Sequence, residues 1–182
     1  QAYDYLSKFS KLIRLVLVNS RQKVISLQDE LDTLRLYVDL EKLRFDHAFD
    51  FNIHLPDNLA AQEIMIPSML IQPFVENAIW HGLMNLKETR RGQLSLYFET
   101  TDQQLKIIVE DNGVGRAYAA QFKSKHVHQS EGLNITNERI ELINKMNQTT
   151  GNAVRFIDKT DSAGQSLGTR VEITINTQLY EK

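Results

Sequence analysis

The stretch Gln72-Pro73-Phe74-Val75-Glu76-Asn77-Ala78-Ile79-Trp80-His81-Gly82 constrains this chain more than any other. At 100° per residue, Leu70, Ile71, Phe74, Val75, Ala78 and Ile79 fall on one apolar face, which predicts a helix packed on a core. Asn77 and His81 lie four apart, along the margin of that stripe. A polar pair at the edge of a buried face needs partners, because an amide stripped of water without a hydrogen bond is costly. The partners are either protein groups, which makes Asn77 an ordinary satisfied polar residue, or a ligand.

Upstream, Ala2, Tyr5, Leu6, Phe9, Leu12, Ile13, Val16 and Leu17 recur at helical spacing, with Lys8, Lys11 and Arg14 between them. This is an amphipathic helix of about five turns. Ser26 followed by Asp29 and Glu30 signals the start of a second helix. That helix carries Leu27, Leu31, Leu34, Val38 and Phe45 on one stripe and Leu36, Leu40 and Leu43 on another, so it expects contacts on two sides. The two helices form either a bundle shared with a second subunit or an ordinary packing pair.

After residue 47 the period changes. Phe49, Phe51, Ile53 and Leu55 alternate with polar residues, and Pro56-Asp57-Asn58 closes the run as a turn. Ile64 to Pro67 is short and apolar, and the central helix is expected from near Ser68. Leu94, Leu96 and Phe98, then Leu105, Ile107 and Val109 across Thr101-Asp102, read as a hairpin. Residues 116–131 lack a period and read as a mobile loop with one short helix at most. Leu133, Ile135, Ile140, Ile143 and Met146 mark another helix, and Val154-Phe156 and Val171-Ile173-Ile175 two last strands. The order favours an α+β fold, a two-layer sandwich with one mixed sheet covered by helices on a single face. Residues 1–47 are expected to be a helical region and 48–182 the sheet domain.

Composition narrows the function classes. At 182 residues with a net charge of −2, no basic field argues for nucleic acid. The absence of cysteine excludes disulfides and thiolate metal sites. No apolar run approaches the roughly 20 residues of a membrane span. The chain opens at Gln1 in mid-pattern and reads as a piece of a longer protein.

Three further motifs carry chemistry. Asp111-Asn112-Gly113-Val114-Gly115 follows a strand directly. Its glycines permit a tight turn and close approach of a ligand, and a strand-end Asp can accept from an exocyclic amine. Ser130-Glu131-Gly132-Leu133 places a glycine at a helix start, where free N–H groups suit phosphate. Gly168-Thr169-Arg170 enters the last strand. Each taken singly is also what an ordinary turn or helix start looks like.

In this order, the Asn-bearing helix, Asp-x-Gly-x-Gly, Gly-Leu and Gly-Thr resemble the GHKL nucleotide-binding superfamily, whose Bergerat-type fold is such a sandwich. The closer similarity is to LytS-like sensor histidine kinases of two-component systems. It rests on Pro67-x-x-x-x-Gln72-Pro73-x-Val75-Glu76-Asn77-Ala78-x-x-His81-Gly82, with Tyr5 to Arg14 and Leu40-Glu41-Lys42-Leu43-Arg44-Phe45 upstream. The resemblance implies an enzyme, a protein-histidine kinase whose cofactors are ATP and Mg²⁺. Asn77 would coordinate Mg²⁺ bridging the phosphates, His81 would lie near the nucleotide, and Asp111 would accept from the adenine amine beside Gly113 and Gly115. Gly132 and Leu133 would bring a helix N-terminus to the phosphates, residues 116–131 would form a lid, and Thr169 would support the adenine end. Glu76 has two readings, a catalytic or metal-site residue or a solvated surface carboxylate, because the helical wheel turns it away from the core.

The resemblance further implies a homodimer through the N-terminal helices, a response regulator as partner, and a cytoplasmic domain of a membrane-anchored parent. The chain departs from the family pattern at Trp80, where many relatives carry Lys or Arg, and at Ser130 and Ile135. Pro73 stands where gyrase-type ATPases carry their catalytic Glu, which disfavours simple hydrolysis. None of His47, His54, His81, His126 or His128 sits in a phosphoacceptor context, so autophosphorylation is not expected of residues 1–182 alone. The alternative is a degenerate domain that binds nucleotide or scaffolds a partner without turnover.

Overall fold

A computed structural model describes residues 2–46, 48–86, 90–101, 103–121 and 153–177. Ser26 caps the second helix as its sequence predicts, its hydroxyl accepting from the Asp29 N–H at 3.0 Å. The elements run α1 (Ala2–Ser20), β1 (Val24–Ser26), α2 (Leu27–Arg44), β2 (Phe49–His54), β3 (Met65–Pro67) and α3 (Gln72–Asn77). A π-helical turn (Ala78–Gly82) and a 3-10 turn (Leu83–Asn85) continue α3. Then come β4 (Gly92–Thr100), β5 (Gln104–Asp111), α4 (Arg116–Gln121), β6 (Ala153–Thr160) and β7 (Ser166–Asn176).

Five strands form one mixed sheet in the order β2-β4-β5-β7-β6. Only the β2–β4 pair is parallel; the other pairs are antiparallel. Period-2 alternation sorts the two faces. Leu94, Leu96, Phe98, Leu105, Ile107, Val109, Val171, Ile173 and Ile175 face the helices and are buried. Between them, Lys106, Glu110, Arg170 and Glu172 form ion pairs on the opposite face. A register slip of one residue would bring these charges into the core, so the pairing is strongly specified. This is the helix-covered sandwich that the sequence predicts.

The helical layer is α2 and α3. Leu27, Leu31, Leu34 and Val38 of α2 join Phe74, Val75 and Ile79 of the central helix in the same core as the sheet. Burial of each such side chain is worth about 1.5–3 kcal/mol. α1 packs along α2, where the buried Asn19 amide donates to Thr33 Oγ1 at 3.1 Å. It leaves Leu6, Phe9, Ile13 and Leu17 exposed.

The central helix starts later than expected, at Gln72 rather than near Ser68. Met69 adopts a left-handed φ of 56°, which no helix continues. Ser68 instead docks on the chain between α1 and α2, its hydroxyl donating to Gln22 O at 2.7 Å. Beside it, β1 pairs with β3 as a separate two-stranded ribbon. At its first turn α3 has no side-chain cap of its own. The buried carboxylate of Glu30, from α2, accepts from the backbone N–H groups of Met69, Ile71 and Gln72 at 2.9, 3.0 and 3.3 Å. The expected helix Leu133–Met146 lies outside the described residues, as do His47, His126 and His128 and all but the first residues of the 116–131 segment.

Candidate functional site

β5 ends on Asp111, which is 5% exposed. One carboxylate oxygen accepts from the Gly113 N–H at 2.7 Å, and the Thr169 backbone N–H donates to the same carboxylate. Burial pushes the Asp111 pKa up to about 6, against the opposing pull of those two donors and the Lys159 charge. Gly82, at the end of the helix carrying Asn77, closes over this carboxylate; a Cβ there would stand 3.0 Å from Oδ1. The result is a rigid acceptor on the floor of the site, with lone pairs left for a ligand N–H.

The turn after Asp111 is fixed by the chain itself. Asn112 is zipped to β4, its Oδ1 accepting from the Gln93 N–H at 2.7 Å and its amide donating to Arg91 O at 3.0 Å. Val114 N–H donates to Gly82 O at 3.2 Å. A Cβ on Gly113 would overlap the Gly82 backbone, and one on Gly115, whose φ is +78°, would overlap Ser166 Oγ. The Cβ directions of these two glycines thus point into neighbouring chain. Gly168, with φ of +121°, lies inside β7 and has its Cβ direction blocked by the Asp111 carbonyl.

On the helix side, Asn77 is half-buried, and its side-chain amide makes no hydrogen bond among the described residues. An unpartnered amide there is the feature that the sequence left open between protein and ligand partners. The following turn is π-helical, with the Leu83 N–H reaching Ala78 O, a widening often found at functional sites. His81 is half-buried within it, and its carbonyl accepts from the Asn85 amide at 3.1 Å. Asp111, Gly113 and Thr169 therefore gather beneath Gly82, at the end of the helix that carries Asn77 and His81. Gly132 and Leu133 lie outside the described residues.

Glu76 departs from the solvated surface setting, one of its two expected readings. It is half-buried on the flank facing α2 and accepts from the Gln72 amide at 2.8 Å. Burial raises its pKa, with the Gln72 bond opposing, and its charge is felt by Tyr37 and Glu41 of α2. A wheel of one helix cannot show that a second helix covers the flank. Trp80 lies on the same flank, donating to the Tyr37 hydroxyl at 3.3 Å and meeting Phe45 edge-on at 5.3 Å.

Among the described residues no group of three or more His, Cys, Asp or Glu side chains could hold a metal ion. The Asn77 oxygen is a single neutral donor. That fits Mg²⁺ brought with a nucleotide, whose other ligands are phosphate oxygens and water, and does not fit a cation held by an all-protein cage. Sequence reasoning took Glu30 only as a helix-start acid and missed its role as the cap of α3.

A family model described as histidine kinase matches residues 1–49. The sensor histidine kinase/phosphatase LytS of Staphylococcus aureus is 36% identical over 115 residues, covering 63% of this chain and 19% of LytS. The chain thus spans only a small part of that relative's length. Among solved structures, the histidine kinase domain of the Erythrobacter litoralis EL346 blue-light activated histidine kinase superposes with a TM-score of 0.56 at 16% identity, over 96% of this chain and 75% of that one. The catalytic domain of histidine kinase ThkA gives 0.52 at 14% identity, over 85% of this chain and 95% of that one. ThkA in its complex with the response regulator protein TrrA gives 0.54 at 13% identity, over 97% of this chain and 49% of that one. At these identities the structures establish the fold, a mixed five-stranded sheet with helices as in histidine kinase catalytic domains.

Proposed function

We propose, from the premise that this chain is a homologue of the LytS-type sensor histidine kinases, that it forms the ATP-binding catalytic portion of such a kinase in two-component signalling. The observation that carries this reading is the buried Asp111 carboxylate, pinned by backbone donors beneath the end of the helix that carries Asn77, whose side-chain amide makes no hydrogen bond among the described residues. With a pKa of about 6, Asp111 is ionised at neutral pH and accepts from the adenine amine. The Asn77 amide oxygen orients Mg²⁺ on the phosphates, with His81 one turn on and Thr169 holding Asp111 through its backbone. The resemblance assigns Gly132 and Leu133 to the phosphate end. Bound ATP supplies the γ-phosphoryl group and Mg²⁺ offsets its charge; the chain contributes positioning.

In the whole protein the group passes to a His of the dimer and then to an Asp of a response regulator. Residues 1–47 are the helical, dimerising portion and 48–182 the nucleotide-binding portion. The exposed row Leu6, Phe9, Ile13 and Leu17 on α1, spaced at three and four residues, suits a helix of a second copy. No helix among the described residues is long and apolar enough to cross a membrane. A cytoplasmic position beneath a membrane anchor in the parent protein accords with that. The second reading, a domain that binds nucleotide or scaffolds without turnover, is favoured by Trp80 being packed into α2 and not extended toward the site.

Calorimetry with ATP tests the assignment. Saturable binding that strengthens with Mg²⁺, weakens in Asn77→Ala in the presence of Mg²⁺ only, and fails in Asp111→Asn is expected. Unchanged ATP affinity in Asp111→Asn overturns the site. Phosphorylation of an added dimeric helical segment bearing an acceptor His separates the kinase from the domain without turnover.

A further inference from the structure

The turn after Asp111 is gripped from one side by a single short stretch, residues 90–93. Asn112 N–H donates to Gln93 O at 3.1 Å, and the Asn112 side chain bridges the Gln93 N–H and Arg91 O. Arg91 is itself anchored to Asp50 of β2 by a two-pronged guanidinium–carboxylate pair at 2.6 and 2.8 Å. The remaining bond comes from a side chain with no assigned role. Arg90 Nη2 donates to the Gly113 carbonyl at 3.1 Å.

The bland role for Arg90 is that of an exposed cation resting on a nearby carbonyl, where substitution changes little. The geometry speaks against it. Gly113 is buried, and among the described residues no other donor reaches its carbonyl, so Arg90 is that oxygen's protein partner. The other end of the same peptide is held too, because the Val114 N–H donates to Gly82 O at 3.2 Å. The preceding peptide supplies the Gly113 N–H that meets Asp111 Oδ1 at 2.7 Å. One residue thus joins Arg90 to the carboxylate. A glycine has no Cβ to restrict its own rotation, so the direction of this N–H must come from bonds that fix the peptides on either side.

We propose that Arg90 is a positioning residue for base recognition. By clamping the Gly113–Val114 peptide it aims the Gly113 N–H at one Asp111 oxygen and leaves the carboxylate set to accept from a purine amino group. The proposal rests on the nucleotide reading above and adds to it a residue that none of the motifs contains. Its consequence is selectivity. The clamp matters for a base that donates at that position, adenine, and little for one that presents a carbonyl there, hypoxanthine.

Two readouts on the whole chain, comparing Arg90→Ala with the unsubstituted protein, test it. Without ligand, amide hydrogen exchange at Gly113 and Val114 should quicken about tenfold while the amides of β5 stay protected. In calorimetry with Mg²⁺, ATP should weaken by about three- to tenfold and inosine triphosphate by about twofold at most, so their affinity ratio falls. Partial unfolding would weaken both nucleotides alike and leave that ratio unmoved. Arg90→Lys, which keeps a donor on a long stem, should restore most of it. Should Arg90→Ala not fold, Arg90→Met, which keeps the stem and has no donor, takes its place. Unchanged exchange at Gly113 and Val114, or equal weakening of both nucleotides, overturns the proposal while leaving the nucleotide reading intact. If the unsubstituted chain binds neither nucleotide at millimolar concentration, both are overturned.

Discussion

Glu30 offers the sharpest test of how the central helix is held. Its Oε2 accepts from Met69 N–H at 2.9 Å, and its Oε1 from Ile71 N–H at 3.0 Å and Gln72 N–H at 3.3 Å. α3 has no cap of its own, and Pro73 has no N–H to lose. Glu30→Ala therefore strands three donors in a site where the native side chain is 2% exposed. At about 1–3 kcal/mol for each buried unmet donor, with the longest bond counting least, the cost is roughly 4–6 kcal/mol. That is a large share of the 5–15 kcal/mol typical of a domain. Glu30→Gln is different. Its amide oxygen can keep the Ile71 and Gln72 bonds, but its NH₂ must face the Met69 N–H, so the loss is about one bond plus the charge attraction of the helix start, roughly 2–3 kcal/mol. Urea unfolding at neutral pH reads both values, with unchanged m-values showing that only stability has moved. Equal costs for Ala and Gln, or costs within about 0.5 kcal/mol of the unsubstituted chain for both, would refute a capping role resolved to individual oxygens.

Asp111 should make folding pH-dependent in an unusual direction. Its folded pKa of about 6 lies above the ordinary carboxylate value, so the stability it lends is full below about pH 4 and disappears as pH rises through 6. The swing is about 3 kcal/mol, and it should vanish in Asp111→Asn; parallel stability–pH curves for the two chains would show that the carboxyl is not so perturbed. Gly113→Ala should destabilise by about 1–3 kcal/mol with no ligand present, because its Cβ meets the Gly82 backbone. Thermal unfolding within a degree of the unsubstituted chain would contradict that overlap. Phe74→Ala, emptying a buried site between α3 and the sheet, should cost about 3–5 kcal/mol in chemical denaturation, and a loss under 1 kcal/mol would mean that the site collapses freely.

Local chemistry made much of this legible before any coordinates. Ser26 capping α2, the alternation of β4, β5 and β7, and the turn at Asp111 all depend on neighbours within a few residues, which a single sequence displays. What escaped it depends on segments distant in sequence. The β1–β3 ribbon consists of three-residue strands, too short to show a period. Glu30 looks like a helix-start acid because its real partners lie about forty residues later. Glu76 looks exposed on a wheel because the wheel does not contain α2. The start of α3 was misplaced because a left-handed Met69 carries no signal in residue type. At Gly113 and Gly115 the residue type signals a need for room, and the sequence does not show that distant chain crowds their Cβ positions.

That last point changes which positions would betray a relative that has abandoned nucleotide. Gly113 and Gly168 are held to glycine by backbone that would still cross there in an empty domain. Loss of ligand binding would leave them untouched by selection for function and still under selection for folding. Asn77 makes no internal hydrogen bond among the described residues, and Asp111 is a buried charge that stability alone would discard at neutral pH. These two are free to drift once binding no longer matters. A glycine-complete but Asn- and Asp-less descendant is thus the expected form of a retired domain, and the glycine pattern alone cannot distinguish it from a working one.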